Sequence, residues 1–211
     1  PGTGEIGDPG VDQFMAQQGQ MLSDNARAHA LWQSRGAELL DRIGPAILLT
    51  HSSGGPFGWV VADACPELVK AIVCVEGLGP TLTDIPLTYD PPISSLAELS
   101  LEDLPEAPEF PPGPRPSPPL VVQAEPARQL VNLRGIPIAV VTSEDPRFRA
   151  LNFVTIAYLR QAGCTVEDLR LADLGIRGNG HFMPLETNNR EVLQVILDWL
   201  DATPATSAAA G

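Results

Sequence analysis

The sequence predicts an α/β fold in which a mostly parallel sheet is flanked by helices. One observation is the order of elements: apolar runs that suit buried strands alternate with helical patterns, as strand, helix, strand, insertion, strand, helix, strand, helix. A second is that the first apolar run, Ala46–Leu49, leads directly into a small-residue turn, Thr-His-Ser-Ser-Gly-Gly at 50–55. A strand followed at once by a helix and another buried strand favours parallel pairing.

Residues 1–45 are predicted to be a leading helical segment. Residues 1–10 are rich in Gly and Pro and are expected to be a flexible lead-in. A helical pattern of apolar positions then runs from Val11 to Ile43, with Ser23 expected to cap its second part. No strand pattern precedes Ala46.

Residues 46–79 and 134–202 are predicted to form the core. Residues 56–64 suit a buried helix, and the apolar run Ala71–Val75 suits a fully buried parallel strand. In the second part we expect strands at Ile136–Val141 and Val166–Leu171, with a helix over Phe148–Ala162 between them.

The last helix is expected to begin with a capping box, because Glu191 follows Asn188 by three residues. One face of this helix should pack on the sheet; its residues are Val192, Val195, Ile196, Trp199 and Leu200. The tail, residues 203–211, is composed mostly of small residues and is expected to be disordered.

Residues 80–133 are predicted to be an insertion into the core. Of the 22 prolines, 13 lie between Pro80 and Pro126, and proline cannot donate the amide hydrogen bonds of a central strand. The insertion leaves the sheet at the carboxyl end of a strand, where the sites of α/β proteins lie. We therefore favour a cap over a site, rather than a solvated linker or a proline-rich ligand for a partner domain.

The charge balance excludes two classes of partner. With 13 basic and 26 acidic residues the formal net charge is −13, which repels nucleic acids and anionic membrane surfaces. No apolar run reaches the roughly 18 residues that span a bilayer, and no signal-peptide pattern opens the chain. The spacing of Cys65, Cys74 and Cys164 does not suit a metal site, so neither metal nor cofactor is expected. The compartment is left open, secretion included.

The turn at residues 50–55 is typical of a nucleophile elbow. A strand that reverses directly into a helix holds the apical residue, here Ser52, in a strained conformation that exposes its hydroxyl. Gly54 and Gly55 are expected to supply the room, although Thr50 stands where the usual pattern has Gly. The amide of Ser53 is then a candidate oxyanion donor. A polar surface loop is the alternative, which the helix and buried strand that follow disfavour.

A serine nucleophile needs a histidine as base. The chain has three histidines; His29 lies in the leading segment, and His51 lies in the turn with its side chain expected to point away. His181 lies in a glycine-rich loop between the last strand and the last helix, at the same sheet edge as the turn, and is the predicted base.

Two carboxylates are candidates for the acid that orients this histidine. Glu76 ends the strand that follows the elbow helix, and Asp145 follows the next strand of the chain. Both strand ends lie at the correct edge of the sheet, so the residues alone leave both candidates open. Each could instead be an ordinary strand end or turn residue.

The stretch Leu48–Gly79, the run Asn-Gly-His-Phe-Met at 179–183 and the closing helix resemble a bacterial and fungal esterase family of the α/β-hydrolase superfamily. That family has a Ser-Glu-His triad in which the Glu ends the strand after the nucleophile, 24 residues beyond the Ser. Glu76 stands 24 residues after Ser52. The resemblance therefore implies Ser52 as nucleophile, Glu76 as acid and His181 as base, with Asp145 as the fallback acid.

The resemblance also implies strands that this chain does not contain. In the superfamily the nucleophile strand lies inside the sheet, whereas here Ala46–Leu49 would be a bare apolar edge. The family's second oxyanion donor comes from a His-Gly loop on an earlier strand, a motif not found here. We therefore expect the C-terminal part of a longer α/β-hydrolase fold, with a second polypeptide carrying the early strands.

The leading functional hypothesis is a serine hydrolase that cleaves a small-molecule carboxylic ester through an acyl-enzyme. A lactone could be opened by the same groups. The alternatives are a binding protein on the same fold that docks partners through its Pro-rich segment, and a lyase in which Ser52 and His181 only move protons.

Overall fold

The computed structural model describes residues 2–16, 18–19, 22–80, 85–104 and 120–204. The helices are α1 (Pro9–Ala16), α2 (Asn25–Ile43), α3 (Gly55–Ala64), α4 (Pro146–Gln161) and α5 (Asn189–Ala202). The strands are β1 (Ala46–His51), β2 (Val69–Val75), β3 (Tyr89–Asp90), β4 (Leu101–Asp103), β5 (Val121–Gln123), β6 (Gln129–Leu130), β7 (Ile138–Thr142) and β8 (Val166–Arg170).

Four strands form one parallel sheet in the order β1-β2-β7-β8. The register places Thr50 beside Cys74 and Val75 beside Val141. Because all four strands run in the same direction, their carboxyl ends lie at one edge, and the loops that follow them meet there. The predicted parallel α/β core is confirmed.

The two inner strands, β2 and β7, are apolar on both faces, as strands covered on both sides must be. Side chains alternate along each strand, so one face carries Ile72, Cys74, Ile138 and Val140 and packs against α3 and α4. The opposite face carries Ala71, Val73, Val75, Ala139 and Val141 and packs against α5.

The predicted apolar face of α5 is confirmed: Val192, Ile196 and Trp199 are buried on the sheet, and Val195 and Leu200 pack against them. The first residue of the expected tail, Thr203, is part of the packed structure. Thr203 is buried, and its hydroxyl donates to the Trp199 carbonyl at 2.7 Å. Residues 205–211 lie outside the described residues.

The leading segment forms two helices, and the first, α1, buries no residue. Asp24, not Ser23, caps α2, because its side chain accepts a hydrogen bond from the Arg27 amide. The predicted cap was therefore one residue too early. Asp and Ser are equally good helix caps, so composition alone does not separate two adjacent candidates.

The described parts of the insertion form two short antiparallel pairs, β3 with β6 and β4 with β5. They are not a solvated linker. Ile85, Leu87 and Tyr89 belong to the main core, and the Tyr89 hydroxyl lies 2.7 Å from that of Tyr158 in α4. The prolines between 105 and 119 lie outside the described residues.

A buried carboxylate fastens the insertion to α3. Asp63 is 5% exposed and accepts hydrogen bonds from the amide of Thr88 at 3.0 Å and from its hydroxyl at 2.9 Å. The Asn132 amide donates to the Asp63 carbonyl at 2.9 Å. Burial raises the pKa of the Asp63 carboxyl above its usual 3.8, against the opposing effect of these hydrogen bonds.

This raised pKa predicts how stability varies with pH. A carboxyl whose pKa is higher in the folded state favours folding when protonated, so its contribution is complete below pH 3.8 and is lost as pH rises through the folded-state pKa. The Asp63→Asn variant keeps the two contacts to Thr88 and lacks the titration. We measure the free energy of unfolding of both proteins in urea and subtract the value of the variant from that of the wild type. We expect this difference to fall as pH rises from 3.5 to 8.

The control for this experiment is Asp90→Asn, a change at an exposed carboxylate of the same insertion. The same urea measurement on this variant shows whether a change with pH is specific to Asp63. A difference between wild type and Asp63→Asn that is constant with pH would contradict the prediction.

All three cysteines are free and buried. Burial raises the pKa of the Cys74 thiol to about 11 and that of Cys164 to about 12. These thiols are therefore neutral small apolar side chains in the core.

Candidate active site

The turn after β1 has the strained backbone predicted for it. Ser52 begins a short helical turn, Ser52–Gly54. Its backbone φ is 55°, a value that residues other than glycine rarely adopt. The Ser52 carbonyl accepts a hydrogen bond from the Leu78 amide at 3.2 Å, which ties the turn to the segment after β2. The strain is held in place by this neighbouring segment.

Two glycines make room for the turn, and one of them differs from the prediction. A Cβ at Gly55 would lie 2.7 Å from the Leu78 carbonyl oxygen, so Gly55 is required. A Cβ at Gly54 would lie 4.0 Å from its nearest neighbour, the Cβ of Thr50, so a glycine is not required at position 54. Instead, a Cβ at Gly58 would lie 2.7 Å from Cγ2 of Thr50. Gly58 thus accommodates the threonine that replaces the usual first glycine.

His181 lies beside this turn. Its Nε2 is 2.8 Å from Oγ of Ser52, and its Nδ1 is 2.9 Å from Oε2 of Glu76. A neutral imidazole with its proton on Nδ1 satisfies both contacts: Nδ1–H donates to the carboxylate, and the serine hydroxyl donates to Nε2. The His181 side chain is 14% exposed and that of Glu76 is 0% exposed.

Glu76 follows β2 with a φ of 44°, which turns its side chain toward the next loop. Oε1 accepts hydrogen bonds from the Ser143 amide at 2.9 Å and from the Ser143 hydroxyl. Oε2 is thereby left to His181. A buried carboxylate requires such partners on both oxygens. Ser143 could not be predicted from the sequence, because no local pattern marks a serine that contacts a residue 67 positions away.

Asp145, the other candidate acid, has a structural role. Its Oδ1 accepts hydrogen bonds from the amides of Arg147 at 2.9 Å and Phe148 at 3.2 Å, which makes it the N-cap of α4. Its carboxylate is occupied at the start of the helix, and it is not part of the chain of hydrogen bonds from Ser52 to Glu76. Ser53, the candidate oxyanion donor, follows Ser52 in the short helical turn and is exposed.

The expectation for His51 was wrong. Its side chain does not point away from the site: Nε2–H donates to the His181 carbonyl at 2.8 Å, and its ring stacks on that of His181 with centroids 4.7 Å apart. The last residue of β1, just before Ser52, is therefore connected directly to the histidine loop.

The loop that carries His181 is held by side chains at both of its ends. At one end, Glu144 accepts a hydrogen bond from the Gly178 amide at 2.6 Å, and its own amide donates to the Asn179 carbonyl at 3.3 Å. At the other end, Asn179 and Asn188 pair through their amides at 2.8 and 2.9 Å, and Glu186 accepts from the Gly180 amide at 2.9 Å.

This pairing explains why the predicted capping box is absent. Asn188 does stand at the N-cap position of α5, but its side chain makes no capping hydrogen bond. Its amide is used by Asn179 instead, so the sequence pattern that suggested a helix cap supports the histidine loop.

Within the described ranges, no group of three or more His, Cys, Asp or Glu side chains could hold a metal ion. Nor do those ranges contain a helix that is both long and apolar enough to cross a bilayer.

By its architecture the chain is a mixed α/β protein with a parallel four-stranded sheet flanked by helices, and its fold is similar to that of an esterase. The fold matches the atomic resolution structure of a novel bacterial esterase with a TM-score of 0.52 at 22% sequence identity. The match covers 81% of this chain and 42% of that chain.

In sequence, the chain is 39% identical over 210 residues to the probable secreted lipase phiG of Fungal sp. (strain ATCC 74256). The alignment covers 95% of this chain and 58% of the lipase, so the chain spans little more than half of that relative's length. No family model matches the chain.

Proposed function

We propose that the protein is a serine hydrolase that cleaves a carboxylic ester through an acyl-enzyme intermediate. The observation that carries this proposal is the unbroken chain of hydrogen bonds from Ser52 through His181 to Glu76, at a serine whose backbone is held at positive φ. A strained backbone and a histidine that is hydrogen-bonded to a buried carboxylate are typical of an activated nucleophile. They are not expected at a serine that only lies on the surface.

The roles follow from the donors and acceptors. Oγ of Ser52 attacks the ester carbonyl carbon while Nε2 of His181 takes its proton, and Glu76 keeps the other proton on Nδ1 and stabilises the imidazolium. His181 then returns its proton to the departing alcohol as the carbon–oxygen bond breaks. Water, deprotonated by His181 in turn, attacks the acyl-enzyme, which releases the acid and restores Ser52.

The tetrahedral intermediate carries a negative oxygen, for which we propose the Ser53 amide as one hydrogen-bond donor. This amide follows the strained serine at the start of the turn that continues into α3, so the partial positive charge at a helix N-terminus favours the same oxyanion. A second donor is proposed to come from outside this chain.

The substrate class is proposed from the relatives and from the surface beside the site. One relative is named as a lipase and the structural neighbour as an esterase. The ring of Phe182 lies 5.2 Å from that of His181, and both Phe182 and Leu185, three residues further along the chain, are exposed apolar side chains that suit an acyl or alkyl group. A small-molecule ester fits this surface, and a lactone is the alternative because its ring ester opens by the same steps. The name of the lipase relative also suggests a secreted protein.

We propose that residues 80–133 act as a cap beside this site. Leu104, Leu120 and Val122 of the insertion pack on α4 in one apolar cluster, and Phe148 of α4, at the edge of this cluster, contacts His181. The Phe148 side chain thus lies between the apolar cluster of the insertion and the proposed base, His181.

We also propose that further polypeptide covers β1. Among the described residues β1 pairs only with β2, which leaves its other edge open. Ile47 and Leu49 lie on the face that α5 covers over the inner strands, yet they are 38% and 59% exposed. An open apolar edge with one uncovered face is what natural sheets avoid. A second polypeptide that adds strands, and with them the missing oxyanion donor, would remove both features.

One mass-spectrometric experiment tests both parts of the proposal. The purified native particle is treated with a fluorophosphonate, and its mass is measured under native and denaturing conditions. We expect one adduct per chain, located on Ser52 by peptide mapping, and a native mass above the 22.4 kDa of this chain by that of a second polypeptide.

A native particle that is not labelled at Ser52 would contradict the hydrolase and favour a binding protein on the same fold. A labelled monomer of 22.4 kDa would contradict only the second polypeptide.

A further inference from the structure

The imidazole of His181 is stacked between two other rings. The Phe148 ring is nearly parallel to it, with an interplanar angle of 4° and centroids 3.6 Å apart. The His51 ring is 4.7 Å away at 28°. Phe148 covers one face at contact distance, so a second stacked ring at 4.7 Å has room only on the opposite face. Both faces of the imidazole are therefore covered.

Neither ring is free to move away. Phe148 lies in the first turn of α4, where the Asp145 side chain accepts a hydrogen bond from its amide at 3.2 Å. It is half-buried against the apolar cluster that the insertion and α4 share. His51 is held by its hydrogen bond to the His181 carbonyl and by its place in β1.

The hydrogen bonds of His181 do not by themselves hold the plane of its ring. The ring can still rotate about the Cβ–Cγ bond, which carries Nδ1 and Nε2 out of their present plane. Such a rotation moves Nε2 away from Oγ of Ser52 and lengthens or bends both hydrogen bonds. A flat ring in van der Waals contact with one face and a second ring on the other face oppose this rotation.

We propose that Phe148 is a positioning residue for the base: it holds the plane of the His181 imidazole so that Nε2 stays aligned with Oγ of Ser52. This inference rests on the proposed hydrolase function. The Phe148 side chain has no group that gives or takes a proton, so it takes no part in proton transfer. Phe148 therefore connects the proposed catalytic histidine with the start of α4 and with the insertion that packs on α4.

The test compares three single variants. Phe148→Leu keeps apolar volume and removes the flat ring, Phe148→Tyr keeps the ring, and Phe153→Leu makes the same change at another half-buried phenylalanine of α4 in the same cluster. With an activated ester as substrate, we expect Phe148→Leu to lower kcat on the order of tenfold with KM unchanged, because alignment of the base matters only in the transition state. Phe148→Tyr and Phe153→Leu should keep kcat within about twofold.

A second readout does not depend on activity. A proton held between Nδ1 of His181 and the Glu76 carboxylate resonates far downfield of the amide protons in a proton NMR spectrum. This resonance should be sharp in the wild type, Phe148→Tyr and Phe153→Leu, and broadened or lost in Phe148→Leu. Circular dichroism confirms that each variant is folded.

The proposal would be overturned by a folded Phe148→Leu protein with wild-type kcat and a sharp resonance. It would also be overturned if Phe153→Leu lowered kcat as much as Phe148→Leu does. These outcomes leave the hydrolase proposal intact, because that proposal depends on Ser52. If the wild type shows no Ser52-dependent turnover, the hydrolase proposal fails and the resonance alone decides whether Phe148 positions His181.

Discussion

Replacement of Ser52 by alanine is expected to abolish ester hydrolysis, with kcat reduced by about 10⁶-fold, the loss typical of a serine nucleophile. Without Oγ, no acyl-enzyme can form, and His181 has no proton to take from the position 2.8 Å from its Nε2. The fold should be kept, since alanine is smaller and removes one hydroxyl from a partly exposed position. The measurement is burst and steady-state hydrolysis of an activated ester.

The matched control is Ser53→Ala, which removes the neighbouring hydroxyl but keeps the backbone amide proposed as oxyanion donor. Activity within about threefold of the wild type is expected, because an exposed hydroxyl without a role costs little. If Ser52→Ala kept the burst, or if Ser53→Ala alone lost it, the assignment of the nucleophile would be wrong.

Replacement of Glu76 by glutamine is expected to lower kcat by about 10³- to 10⁴-fold, as in other triads whose acid becomes an amide. Oε1 of Glu76 accepts two hydrogen bonds from Ser143, so the amide oxygen of glutamine would occupy that position. Its NH₂ group would then face His181 and require Nδ1 to accept. The imidazole would carry its proton on Nε2 and could not take the proton of Ser52.

Asp145→Asn is the control for this substitution. Asparagine caps a helix as well as aspartate does, so both the start of α4 and the activity should be retained. Steady-state kinetics and thermal unfolding of the two variants, measured side by side, decide the question. A large loss of kcat in Asp145→Asn with an active Glu76→Gln would reverse the roles given to the two carboxylates.

Most of the fold could be predicted from local patterns. The buried runs at β2 and β7 and the small-residue turn after β1 are contiguous features whose physical cause lies in neighbouring residues. Errors arose where two adjacent residues had equal propensity, as with Ser23 and Asp24. They also arose where a polar side chain found a distant partner, as Asn188 did in Asn179.

Less of the candidate site could be predicted. The residues alone left Glu76 and Asp145 equivalent, since both follow strands at the same sheet edge, and only a family resemblance favoured Glu76. In the structure, Glu76 faces His181 and Asp145 caps α4. Ser143 and Phe148 were not predicted at all, and His51 was expected to point away from the site.

Local sequence patterns are enough to specify the parallel α/β core and the strained serine turn, because hydrophobic periodicity and the steric limits of a tight turn act over a few residues. The packing of helices and loops on the sheet settles which carboxylate meets the histidine, which glycine makes room for Thr50, and which rings cover His181. Those contacts join residues from different strands, helices and loops, up to 130 positions apart. Their geometry depends on how the helices pack on the sheet, which no local pattern contains.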